Sequence, residues 1–186
     1  MMRIRSLIPA GIALALVPLA SLPLHAQSVL AARDVVSAAA YPSYDPVARG
    51  HEMQLAVVVK IKEGFHMNSR KPTLDYLIPT DLKIEAPTGF QAGEVSYPEG
   101  QNRTFSFSKN QPLNVYQGTI TLRLPLKVAA SAPTGKQEIP LKLHYQACNQ
   151  EVCLPPVTIK LAADVNVVNL PSAAKPAHAD LFPRHP

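Results

Sequence analysis

Hydrophobic and polar positions along this chain alternate with a period of two far more often than they repeat at the helical 3.6. Residues 53–62 combine alternation with an apolar centre, Val57-Val58-Val59, and stop at Glu63-Gly64. Residues 81–86 alternate strictly before Pro87 and the turn signal Thr88-Gly89. A weaker candidate covers 91–97, and 115–128 carries the alternating run Thr119 to Leu124 before a bend at Pro125. Residues 139–147 and 157–168 complete a set of six predicted strands. Short strands recurring at this spacing, with Pro and Gly between them, predict an all-β sandwich. Only residues 29–40 have a helix-like look, and they could equally form a lead-in or a first strand.

The two ends differ from this middle. Met1 to Arg5 is a short basic stretch, residues 6–24 are uncharged and largely apolar, and Leu24-His25-Ala26 follows. That order predicts an export signal cleaved near Ala26, with Pro9, Pro18 and Pro23 arguing against a retained membrane anchor. No cysteine follows the run to take a lipid. The expected layout is a signal peptide at 1–26, a lead-in segment at 27–44, one domain at 45–168 and a disordered tail at 169–186, rich in Ala, Pro and His. The mature chain is expected in the periplasm.

Composition narrows the function. Removing 26 residues from 186 leaves 160, enough for one core without help from disulfides. The formal charge of +5 falls by the two arginines removed, Arg3 and Arg5, to +3. No basic cluster exceeds Arg70-Lys71, so no nucleic acid is expected as a partner. Asn102-Arg103-Thr104 matches a glycosylation acceptor but reads as an ordinary turn. His51, Met53, His66 and Met67, with the cysteines, offer ligands of the type copper takes. Met53 falls in an apolar strand and reads as core, and His51 as surface, so neither a metal nor another cofactor is expected. No Ser-His-Asp order, phosphate loop or carboxylate pair supports hydrolysis.

Chemistry concentrates in the two cysteines. Cys148 and Cys153 lie in Tyr145-Gln146-Ala147-Cys148-Asn149-Gln150-Glu151-Val152-Cys153-Leu154-Pro155-Pro156, and an exported pair at this spacing implies a disulfide across a hairpin. Such a bridge could simply staple that hairpin. Against this, a loop of about six residues gives only about 2 kcal/mol, against roughly 4.7 for one of about 100, so a chain seeking stability would link distant strands. Pro155 and Pro156 remove two ladder donors and predict a sheet edge with reachable sulfurs. Alternation from Lys142 and His144 puts Cys148 on the polar face, away from the core.

This stretch resembles the active-site segment of the N-terminal domain family of the thiol:disulfide interchange protein DsbD. A second segment, Ile61 to Pro72 with Gly64-Phe65-His66-Met67-Asn68, resembles the Gly-aromatic stretch after an early strand there, and the likeness spans residues 45–168. It implies an immunoglobulin-like sandwich whose cysteine pair, here Cys148 and Cys153, takes electrons from a membrane-embedded donor and passes them to periplasmic thioredoxin-fold acceptors. His66, Asn68 and Tyr145 are then expected near the pair. Arg103 to Ser108 resembles the family's cap loop, with Phe107 preferred to Phe105 as the capping ring. Two departures stand out: acidic residues that precede the ring in the best-known member are unmatched at Arg103 and Thr104, and the cysteine spacing is one residue shorter. Without a membrane domain in the chain, the donor is expected to be a separate protein. The competing reading is a non-catalytic binding module, a copper carrier or an adhesive sandwich, with a structural disulfide.

Overall fold

The computed structural model describes residues 30–109 and 111–182, so the predicted export signal lies outside the described residues. Twelve strands appear among them, in three four-stranded sheets, with no α-helix. The first sheet has the order β1 (Val36–Pro42), β3 (Glu52–Ile61), β9 (Thr119–Val128), β6 (Phe90–Ala92). The second runs β2 (Val47–Ala48), β12 (Val157–Val168), β10 (Gly135–Tyr145), β5 (Asp81–Ile84).

These two sheets form the sandwich, and their inward positions make its core. Leu55, Val57, Val59, Leu122, Leu124 and Leu126 meet Ile139, Leu141, Leu143, Val165 and Val167 from the opposite sheet, all at least 98 % buried. Alternate positions such as Lys60, Lys127 and Lys160 face water, which is the period-two pattern expressed as two faces. The fold is thus the all-β, immunoglobulin-like sandwich expected.

A third sheet, β11 (Ala147–Cys148), β4 (His66–Asn68), β8 (Leu113–Tyr116), β7 (Gln101–Arg103), caps one end. Its strands extend those of the sandwich. After β3 the chain turns at Glu63-Gly64, where Gly64 has φ +83°, and resumes as β4. β8 leads into β9 through Gly118 at φ +67°. Both conformations are left-handed and cost a glycine little. β11 similarly extends β10, so the end sheet draws on both layers. Its own small core is Leu77, Phe105, Leu113 and Val115, with Leu74 and Phe107 against it.

Several expectations change in detail. The predicted strand at 115–128 is two strands parted at Gly118, and β9 runs on through Pro125, which sits opposite Gln54. Asn102 lies in β7 rather than in a turn, and its side-chain oxygen accepts a hydrogen bond from Asn114 Nδ2 at 3.1 Å. Residues 29–40 resolve, from Leu30 on, into a 3₁₀ turn at Ala32–Asp34 and the start of β1. The segment expected as a disordered tail is placed as far as Phe182. Lys175 exchanges backbone hydrogen bonds with Asp45 and Pro46, Arg123 donates to the Leu181 carbonyl at 3.1 Å, and His178 meets the Tyr41 ring edge-on. Polar composition hid those backbone bonds, which need no apolar periodicity.

Candidate redox site

Between Tyr145 and Ala147 the chain leaves the second sheet and crosses to the end sheet, where Cys148 pairs with His66 and Ala147 with Met67. The corner at Gln146 breaks the alternation that runs through β10. As a result Cys148 is not on the polar face, as alternation predicts, but wholly buried. A two-residue β11 at a sheet edge turns at once through Asn149 to Val152, whose backbone closes by Asn149 N–H to the Val152 carbonyl at 3.0 Å. The Asn149 side chain accepts from the N–H groups of Glu151 and Val152, both at 2.8 Å, so the turn is held by its own first residue. Cys153 returns opposite Cys148, and the two are joined in a disulfide. Cys153 remains partly exposed and Val152, at the tip, is 55 % exposed. The two cysteines are therefore unequal: Cys148 is sealed and Cys153 is partly exposed.

Pro155 and Pro156 follow outside any strand, as two missing donors require. Gln146 ties this segment to β4. It accepts from Asn68 Nδ2 at 3.3 Å and donates through Nε2 to the Leu154 carbonyl, also at 3.3 Å. Thr80 completes the framing by donating to the Asn68 carbonyl at 2.6 Å.

Over the site lies the segment between β7 and β8. Phe105 precedes a 3₁₀ turn at Ser106–Ser108, and Ser108 Oγ bonds to both the N–H and the carbonyl of Phe105, at 3.1 and 2.9 Å. Lys109, left-handed at φ 47°, ends the turn. This clamp drives Phe105 inward, where its ring stacks on the His66 imidazole with centroids 3.8 Å apart and planes 14° apart. Phe107 is parallel but offset, 5.5 Å from Phe105 and 6.4 Å from His66, and only partly buried. The inner ring is thus Phe105 and not Phe107, the ring that the resemblance favours. The reason is local: Phe105 is extended and Phe107 lies on the turn that follows. Ser106 reaches across to donate to the Gln150 carbonyl, inside the inter-cysteine loop.

Two polar atoms under this lid have no hydrogen-bond partner, His66 Nε2 and Asn68 Oδ1. Both residues project from the same face of β4, since Met67 between them enters the main core. Burial without compensating charge pushes the His66 pKa down from 6.5 to about 4, so the ring is neutral at physiological pH. Tyr145 is not brought to this cluster. Its ring belongs to the main core, its hydroxyl donates to the Ala32 carbonyl at 3.1 Å, and burial pushes its pKa up to about 12.

His51 is exposed and Met53 and Met67 are core, and among the described residues no three His, Cys, Asp or Glu side chains gather as a metal site. Nor is any described helix long and apolar enough to cross a membrane. Neither Gln146 nor the Ser106–Gln150 contact was visible as a site feature in the sequence, because both depend on corners and loops that meet only in space.

A β-sandwich bearing a disulfide across a short edge hairpin, with an aromatic segment packed beside it, has the layout of a thiol–disulfide exchange domain. Over residues 34–164 the sequence matches the family described as thiol:disulfide interchange protein DsbD, N-terminal, and the chain belongs to that family. Its chemistry is thiol–disulfide exchange. No curated protein matches the chain in sequence. Among solved structures it is similar to the Neisseria meningitidis DsbD N-terminal domain in its reduced form, at 21 % identity over 75 % of this chain and 91 % of that one, with a TM-score of 0.41. The complex of the DsbD and PilB N-terminal domains from the same organism gives 18 % identity, 73 % and 88 % coverage and a TM-score of 0.41. The N-terminal periplasmic domain of ScsB from Proteus mirabilis gives 13 %, 79 % and 50 %, and 0.49.

Proposed function

We propose that this domain is a periplasmic electron relay, in which the Cys148–Cys153 pair is reduced by a membrane-embedded thiol–disulfide protein and then reduces thioredoxin-fold acceptors. One observation carries the reading: the disulfide closes a hairpin of a few residues at a sheet edge, beneath a separate loop, and joins no distant parts of the sandwich. A bridge so placed adds little to the fold and much to reactivity.

The unequal burial of the two sulfurs suggests an order of events. Cys153, partly exposed, attacks as thiolate and forms a mixed disulfide with the acceptor, releasing one acceptor thiolate. Cys148 then attacks the Cys153 sulfur, the acceptor's second sulfur leaves, and the Cys148–Cys153 disulfide is restored. Two electrons and two protons pass to the acceptor's thiols. The Phe105–Phe107 segment must move aside for the acceptor to dock.

To test this, reduced protein is mixed with an oxidised thioredoxin-fold protein, and transfer is followed by thiol trapping. The wild type is expected to transfer electrons, and Cys148→Ser, which keeps the exposed cysteine, to accumulate the mixed disulfide. No transfer and no adduct across several such acceptors overturns the relay. The complete burial of Cys148 favours the rival, a structural bridge. A reduction potential below about −300 mV decides for that rival, and a higher one for the relay.

A further inference from the structure

Resting on the exchange reading above, a difficulty arises at the second step. Cys148 must lose its proton to resolve the mixed disulfide, yet it sits wholly buried, where a thiolate is disfavoured. Glu151 in the Asn149–Val152 turn and Lys109 after the Ser106–Ser108 turn are both exposed, and a buried thiol without a base resolves slowly.

The residue set opposite Cys148 is His66. The two are ladder partners between β11 and β4, so their side chains leave the same face of the end sheet with Cβ atoms about 4.5–5.5 Å apart. His66 is 1 % exposed and its Nε2 has no protein partner, an arrangement that costs free energy and for which the packing offers no return. We propose that His66 is the proton acceptor for the Cys148 thiol in the resolving step, and that the Phe105 ring lying on the imidazole withholds this basicity until a group bonded to the Cys153 sulfur, whether partner protein or small reagent, displaces the lid.

The groups placed around the imidazole are Cys148 from β11, Asn68 from β4 itself and the Phe105 and Phe107 rings from the lid, and of these only the cysteine titrates. No charged side chain contributes to the shift of His66, which comes from desolvation alone. Lifting Phe105 admits water and removes that cause, so the imidazole regains its ordinary affinity for a proton. In the closed domain it is too weak a base to take one from a thiol. Opened, it accepts the Cys148 proton, the thiolate attacks the Cys153 sulfur, and the imidazolium returns the proton to the departing acceptor thiolate or to water. The lid thereby couples deprotonation of the buried sulfur to occupancy of the exposed one.

The test needs no protein partner. Reduced protein reacts with 5,5′-dithiobis(2-nitrobenzoate) in two phases: Cys153 attacks and releases one thionitrobenzoate, then Cys148 resolves the adduct and releases the second. In His66→Gln the ratio of second-phase to first-phase rate at pH 7 is expected to fall about tenfold, within the range for loss of a positioned base. The pH midpoint of the second phase should also move upward, towards that of the unaided thiol. A ratio and midpoint equal to those of the wild type overturn the proposal, as does an equal slowing of both phases, which would mark His66 as purely structural. Phe105→Ala supplies an independent arm through the ring resonances of His66 in the oxidised protein. Their titration midpoint is expected to rise from about 4 towards 6.5, and an unmoved midpoint refutes gating by the lid. Failure of the relay itself would look different, since the two-phase reaction would persist while transfer to thioredoxin-fold acceptors was lost.

Discussion

His66 and Cys148 face one another across the β4–β11 ladder, so the one buried imidazole of the end sheet and the sealed sulfur of the disulfide are direct neighbours. With Phe105 stacked on the imidazole at 3.8 Å, three elements that are far apart in sequence meet at this histidine.

The burial of His66 has a consequence for stability. Its folded pKa is near 4 against 6.5 in the unfolded chain, so between these values the unfolded state binds more protons. Stability from this residue is fully present above about pH 6.5 and is lost as pH falls towards 4, on the order of 3 kcal/mol. Urea unfolding at pH 7 and pH 4.5 is expected to show that loss in the wild type and a smaller one in His66→Phe.

Removal of the disulfide should be tolerated. Cys148→Ser/Cys153→Ser loses about 2 kcal/mol from the short loop, together with about 1 kcal/mol for a hydroxyl buried where Cys148 lies. The sandwich core is untouched, so circular dichroism at room temperature should show a folded protein with a lower Tm. An unfolded double variant would instead mark the bridge as structural.

The two lid rings should differ in effect. Phe105→Ala removes the inner ring and its stack, worth about 0.5–1.5 kcal/mol beyond burial, and is expected to speed reduction of the disulfide by glutathione up to about tenfold. Phe107→Ala, at an offset and only partly buried ring, should do distinctly less. Thiol release against glutathione concentration, with near-UV dichroism to check the fold, measures both.

Ser106 latches the lid to the inter-cysteine loop through the Gln150 carbonyl. Its replacement by Ala removes one exposed hydrogen bond, about 1 kcal/mol, and should raise the glutathione rate about fivefold with Tm nearly unchanged. Equal rates in the variant and the wild type would show that the apolar contacts of Phe105 alone hold the lid.

Tyr145 gives the opposite pattern. Tyr145→Phe removes one of two donors to the Ala32 carbonyl, which keeps the Val35 N–H at 3.3 Å, and should cost about 0.5–1.5 kcal/mol, measured by urea unfolding. The exchange rate is expected to stay within twofold, because the ring lies in the main core and not under the lid.

Much of this could be read along the chain. Six strands, the cysteine pair and its short hairpin rest on local signals: period-two alternation, prolines after Cys153, and the spacing of two cysteines; the redox role and the aromatic segment came from resemblance to the family. Those signals are local because a strand's two faces and a turn's backbone are set by near neighbours. Membership of the family was legible too, since its motif is contiguous.

What sequence by itself determined was therefore the sandwich, the pair that carries the chemistry and the short stretches that surround it. Tertiary structure alone decided that Cys148 is sealed, that Phe105 is the inner ring, that Tyr145 turns away, and that the final segment packs on Ser43 to Pro46. Each of these turns on a corner or a loop contact. Alternation predicts a face only while the strand continues, and at Gln146 the chain changes sheets, so the register that held to Tyr145 no longer says which way Cys148 points. The opposition of His66 and Cys148 is likewise a pairing between strands about 80 residues apart, and such a register is set by which hydrophobic faces fit together in three dimensions.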